Sequence, residues 1–191
     1  MAMNELGNGL FVAKNYEDAL PVQEAQLSML RRIGGREESI LVAKTNLAAT
    51  YGDIGRLEEA LRLKRDVYSG MLNLFGQENE RTLVVGNNYA WGLFRLGRFE
   101  EAKSVLRKMM PVTQRVLGES HKLTLTIRKL GAMALYSDPD ATLDDLREAK
   151  TTLEEIERMA RRVMGGAHPL VTEIERNLRA SRDALYARGL P

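Results

Sequence analysis

Residues that could do acid–base or metal chemistry are few in this chain, and their spacing accounts for them without a reaction. The two histidines, His121 and His168, each close a glycine-led turn, Gly118-Glu119-Ser120-His121 and Gly165-Gly166-Ala167-His168. A zinc site would need a His-x-x-x-His partner or nearby cysteines. Neither histidine has such a neighbour, and the chain contains no cysteine. Their recurrence in matching turns marks them as turn or helix-start residues. The carboxylate pairs Glu58-Glu59 and Glu100-Glu101 recur as well, each just behind a Gly-Arg step. Acids placed there fall in the first turn of a helix, where the dipole and the free amides favour negative charge. They are not general acid/base pairs. Gly7-x-Gly9 lacks the preceding strand and the third glycine of a dinucleotide loop. No catalytic residue, metal or cofactor is predicted, and the chain reads as a non-enzyme.

A second group of residues points to recognition. Leu83 to Leu96 carries helical periodicity, with Tyr89, Ala90 and Leu93 on the packed side and Asn87, Asn88, Trp91 and Arg95 pointing elsewhere. Arg95 is the one charged residue of that stretch from Leu83 onward. A solvated helix face is normally charged, so this one is expected to be covered, by neighbouring helices or by a partner. Two amides beside the only tryptophan suit a partner, since aromatic residues anchor interfaces. An inter-repeat core place for Trp91 is the alternative. Lys44, Arg95, Arg128 and Lys129 fall at or near equivalent positions, against Asp53 and Glu5, which favours a partner segment with acidic residues. The predicted groove set is Asn8, Asn46, Asn87, Asn88, Trp91, Arg95, Lys129 and Met133.

The elements that must hold these residues form a repeat. Lys14-Asn15-Tyr16-Glu17-Asp18-Ala19-Leu20 aligns with Gly55-Arg56-Leu57-Glu58-Glu59-Ala60-Leu61, and both align with Gly97-Arg98-Phe99-Glu100-Glu101-Ala102-Lys103. The offsets are 41 and 42 residues, and Gly35, Gly76 and Gly118 keep them downstream. Several markers moving together identify a true internal repeat. Each unit reads as two helices: Leu47, Ala48, Tyr51 and Ile54 form one face, Gly52 and Gly55 break it, and Leu57, Ala60, Leu61, Lys64, Val67, Met71 and Leu74 form the next. The predicted pairs are 2–12 with 16–32, 39–53 with 56–74, 81–96 with 98–116, and 122–136 with 142–163, followed by a helix over 169–187. The fourth unit gains about five residues in Ser137-Asp138-Pro139-Asp140-Ala141, a turn-rich loop. Thr142 and Asp145 then offer a capping box. By repeat register the first helix should start ahead of Met1, as in a trimmed chain or a piece of a longer array.

Composition agrees with a folded, interaction-type protein. The 191 residues are 44% hydrophobic and 28% charged, with a net charge of +2. That balance is too small for a general nucleic-acid or membrane-surface binder. No apolar run reaches the length of a membrane span, and the first residues lack a signal peptide's basic start and apolar core. A cytoplasmic protein is expected, with no nucleic-acid or membrane partner.

Asn46-Leu47-Ala48-Ala49-Thr50-Tyr51 followed by Gly55-Arg56-Leu57-Glu58-Glu59-Ala60 resembles the tetratricopeptide repeat, in the 42-residue version of kinesin light chains. The linker Gly165-Gly166-Ala167-His168-Pro169-Leu170 fits that version, and Gly118-Glu119-Ser120-His121 fits it without the proline. The resemblance implies an all-α, right-handed superhelical solenoid of about four helix pairs plus a C-terminal capping helix. It is one domain over 1–191, with repeats near 1–35, 36–76, 77–118 and 119–166 and a cap over 167–191. First helices would line a concave groove, with Asn46, Asn88 and, in the cap, Asn177 facing a bound peptide's backbone. Glu5 and Leu130 replace the asparagine in the first and fourth units. The function implied is a protein- or peptide-binding adaptor or scaffold. The alternative is a structural subunit that joins others through its ends or convex face, as a monomer or weak homo-oligomer.

Overall fold

A computed structural model describes residues 2–188, and all the regular structure among them is helical. In chain order the helices are α1 (Ala2–Val12), α2 (Tyr16–Arg32), α3 (Glu37–Asp53), α4 (Leu57–Phe75), α5 (Glu80–Arg95), α6 (Phe99–Leu117), α7 (Lys122–Tyr136), α8 (Leu143–Met164) and α9 (Pro169–Tyr186). These match the predicted pairs closely, though the end of the predicted cap, 189–191, and Met1 lie outside the described residues. The helices gather into two compact units, α1–α5 within Met1–Leu96 and α6–α9 within Gly97–Pro191. Among the described residues no helix is long and apolar enough to cross a membrane.

Each unit is held by apolar stripes that no single helix can bury by itself. In the first, Leu27, Ala43 and Leu47 form one cluster, and Leu41, Val67 and Met71 another. In the second, Leu125, Leu153, Ile156, Val171 and Ile174 are all nearly inaccessible. Alanines at the contact points, Ala19, Ala60, Ala102 and Ala149, are at most 2% exposed, so the backbones of neighbouring helices approach closely there. Gly70 carries this further: a Cβ at that position would stand 2.7 Å from Leu41 Cδ2.

The turns repeat because their backbone conformations repeat. Gly55 and Gly97 lie at φ +83° and +71°, the left-handed region that glycine enters without a Cβ clash. Lys14 stands at the same repeat position with φ 59°, the only non-glycine residue described in that region. Gly52, by contrast, does not break α3. It lies buried inside the helix, and the break comes at Gly55 alone. The expected glycine after α2 is displaced by one, since the positive φ falls on Gly34 rather than Gly35.

Helix starts follow the predicted caps. His121 and His168 each accept a hydrogen bond through Nδ1, from the Leu123 amide at 3.3 Å and the Leu170 amide at 3.1 Å. Asn79, in the register of His121, does the same for Arg81 at 2.9 Å. The carboxylate pairs are likewise structural, for Arg56 forks onto Glu59 and Arg98 onto Glu101. Tyr51 ties α3 to both its neighbours. Its hydroxyl donates to Glu24 of α2 at 2.6 Å, and the Arg56 guanidinium lies 4.3 Å from its ring centre. Burial and the Glu24 carboxylate together push its pKa up to about 12.

The inserted loop of the second unit is a packed strap. Lys103 of α6 is 6% exposed at the side chain and reaches Asp138, 9% exposed, at 2.9 Å. Arg188 donates to the carbonyls of Ala141 and Pro139, and Ala141 itself is buried beside Leu146 and Leu185. Burial works against the Lys103 charge, but the hydrogen bonds it donates to Glu100 and Asp138 outweigh this and hold its pKa above the usual lysine value. The Lys103 hydrogen bond holds the Asp138 carboxyl below the ordinary carboxylate range. The pair therefore stabilises the fold through the neutral range, and its carboxylate share is lost as pH falls through that depressed value.

Three outcomes follow for stability and titration. Lys103→Met lowers unfolding free energy by about 2 kcal/mol in urea titration, and adding Asp138→Asn recovers most of it, because one buried charge no longer lacks its partner. Lys14→Gly raises stability by about 1 kcal/mol in the same assay, by relieving left-handed backbone strain. In an ultraviolet pH titration the Tyr51 signal falls near pH 12, and Glu24→Gln moves it down towards the ordinary tyrosine value.

Candidate functional site

Within the first unit the predicted groove residues divide between a slot and other places. Asn88, Trp91 and Arg95 come together on α5, along a slot between α3 and α5 that α4 floors. Thr45, Ala48, Ala49, Gly52 and Asp53 of α3 form the opposite wall, and Lys64 and Val67 rise from α4. This part of the slot has a volume of about 240 Å³. An adjoining cavity of about 360 Å³ shares Thr45, Val67 and Val85 with it and is lined mainly by Leu41, Val42, Met71 and Val84.

Polar ties close the slot at both ends. Arg81 of α5 pairs with Glu38 of α3 at 2.7 Å, and Arg95 Nη1 donates to the Gly52 carbonyl at 3.1 Å. The two ties are 14 positions apart on each helix, which at the helical rise separates them by about 21 Å. An extended chain covers that length in about six residues. Of the two glycines here, Gly92 is the one whose missing Cβ matters. Gly52 is buried with only the Arg95 guanidinium near its Cβ position, while a Cβ on Gly92 would stand 3.0 Å from Leu61 Cδ1 and 3.3 Å from Lys64 Cδ.

The ends differ in chemistry. Val42 and Val84, repeat equivalents, are 37% and 41% exposed and make the first end apolar. At the other, Trp91 is 39% exposed with its ring stacked on Phe94 at 5.3 Å, so it is no interior core residue. Asn88 is exposed, and its side chain makes no hydrogen bond among the described residues. Lys64 is half-buried and has no ion-pair partner among the described residues. Burial pushes its pKa below the usual lysine value, the Arg95 charge adds to this, and Asp53 opposes it.

The other predicted residues lie elsewhere or are engaged. Asn46 lines the apolar cavity, but its amide donates to Asn4 Oδ1 at 3.0 Å, tying α3 to α1. Asn87 lines neither cavity, and its Oδ1 is buried with no hydrogen-bond partner among the described residues. Asn8 is half-buried on α1, outside both cavities. Lys129 and Met133 belong to α7 in the second unit, where Lys129 pairs with Glu173. Asn177 accepts from the Tyr136 hydroxyl at 2.7 Å. Sequence reasoning missed Lys64 as a site residue because it read the second helix of each pair as packing alone. A lysine within an otherwise apolar stripe was the available signal. Among the described residues no group of three His, Cys, Asp or Glu side chains could hold a metal ion.

Comparison with known proteins agrees with the fold. The family described as Tetratricopeptide repeat matches residues 1–73 and again residues 82–121, together more than half of the chain. A variant of a kinesin-light-chain candidate from Podosopora anserina, with nearly identical TPR-like repeats, superposes with a TM-score of 0.81 at 19% identity, covering 98% of this chain and 87% of that one. A second structure of that protein gives 0.79 at 19% identity, with the same 98% and 87% coverage. BtubC (BKLC) from P. vanneervenii gives 0.77 at 17% identity, covering 95% of this chain and 71% of that one. No curated protein matches the sequence. With helix pairs at the repeat's own period, a matching family over both units and the fold of kinesin-light-chain-type repeats, the chain belongs to the tetratricopeptide-repeat family.

Proposed function

We propose that this chain is an adaptor or scaffold that holds an extended segment of a partner protein in the slot between α3 and α5. The observation that carries this reading is the slot's composition: an exposed amide and indole beside a floor cation, at one end of a cleft that is apolar at the other. Asn88 offers donor and acceptor to a peptide backbone, and Trp91 offers a flat apolar surface. Lys64 and Arg95 favour an acidic side chain at that end, as unlike charges attract most where water is partly excluded. Val42 and Val84 suit an apolar side chain at the other. Such a site binds and releases its ligand, and nothing in its residue set performs a covalent reaction on a peptide.

A second reading has its own observation. Val12, Ile33 and Leu6 are 79%, 61% and 56% exposed on α1 and after α2, apolar side chains that contact with another protein would cover. In that case the chain is a structural subunit and the slot is incidental.

Panning a peptide display library on the purified chain tests the first reading. Recovered peptides are expected to carry an acidic residue and an apolar residue several positions apart. Binding of a synthetic version should blue-shift Trp91 emission, since it is the only tryptophan. Trp91→Ala with Asn88→Ala should weaken that binding at least tenfold, about 1.4 kcal/mol, with unchanged circular dichroism. Affinity retained by the double variant removes the slot as the binding site and favours the apolar α1–α2 surface.

A further inference from the structure

Lys64 is an unusual residue for the second helix of a repeat. It occupies the apolar stripe of α4 that buries Leu61, Val67 and Met71, yet it opens into the slot and ends there as an amine without an ion-pair partner among the described residues. Of the other partly or fully buried lysines, Lys44 pairs with Asp66, Lys103 with Asp138 and Lys129 with Glu173, while Lys150 of α8 has no ion pair among the described residues but lines no part of the slot. The Lys64 ammonium lies against Gly92 of α5, its Nζ 3.9 Å from where a Cβ there would stand. Arg95 follows Gly92 by about one turn, with its guanidinium fixed to the Gly52 carbonyl and facing the same cavity. The charged groups that face Lys64 are thus Arg95 from α5 and Asp53 from α3, and after burial the larger influence on its charge is the cation.

From this geometry we infer that Lys64 is an acylation site, and that the co-reactant it takes is an acyl phosphate whose phosphate is held by Arg95. The free amine attacks the acyl carbonyl carbon, so that an N–C bond forms as the C–O bond to phosphate breaks. Inorganic phosphate leaves with the electron pair, beside the Arg95 guanidinium, and the amine's proton passes to water at the slot mouth. The walls of Ala48, Ala49, Val67 and Val85 accept a short acyl chain. A partly dehydrated amine beside a cation is more often uncharged than an exposed one, and only the uncharged form is a nucleophile. Acylation turns the slot's floor cation into a neutral amide. Its effect on an acidic partner segment rests on the reading above, whereas the acylation itself does not.

The experiment is to treat the whole chain with acetyl phosphate near pH 8 and follow each lysine by peptide mass spectrometry. Lys64 should be acetylated faster than the exposed Lys108 and Lys122, since Arg95 in the same cavity holds the phosphate of the reagent beside it and neither exposed lysine lines that cavity. Arg95→Gln should slow Lys64 while leaving Lys108 and Lys122 unchanged, with circular dichroism confirming an intact fold. Equal rates at the three lysines overturn the proposal, as does a Lys64 rate that Arg95→Gln leaves unchanged. Neither result depends on whether peptides bind the slot.

Discussion

Close packing of helices that cannot bury themselves is the constraint on which the rest of this structure depends. Each helix carries one apolar stripe, and a stripe on a single helix finds cover only on the next. Ala19, Ala60, Ala102 and Ala149 set how near the covering helix comes, and Gly70 brings its partner nearer still. Spacing set in this way leaves α3 and α5 side by side over α4, bridged by side chains at two points, with a gap along most of their length.

Charge does different work in the two units. In the second, Lys103 and Asp138 turn an insertion into a fixed strap, and Arg188 fastens it from the far side. There every nearly buried charge has an opposite one, as low-dielectric surroundings require. In the first, Lys64 is left without that compensation at the floor of the slot, and Asn88 keeps its amide unspent. Lys64 is a half-buried charge that burial would normally force into partnership, whereas Asn88 is exposed beside it.

Local polar chemistry at helix ends was largely readable in advance. Histidines in glycine-led turns became N-caps through Nδ1, and the recurrent acids became the targets of Arg56 and Arg98. Asn79 fills the same capping place as His121, a substitution hidden from pattern matching because the two residues share an acceptor atom and little else. Gly52 was misread as a break: a glycine inside a helix and one at its end look alike until the backbone conformation, left-handed at Gly55 and helical at Gly52, is known.

The sequence by itself determined the helices, their order, their period and the caps that start them. These depend on contacts within a few residues of one another, and a repeated local pattern reports them several times over. It also indicated Asn88, Trp91 and Arg95 as one face of α5, because helical spacing decides which side chains share a side. What only the tertiary structure decided is which of the candidate residues meet. Asn46 was drawn to Asn4 on α1, Lys129 to Glu173 on α9, and Lys64 was brought from the packing helix to the floor of the slot. Each of those outcomes depends on distances between residues far apart in the chain, and side-chain periodicity along one helix carries no information about them.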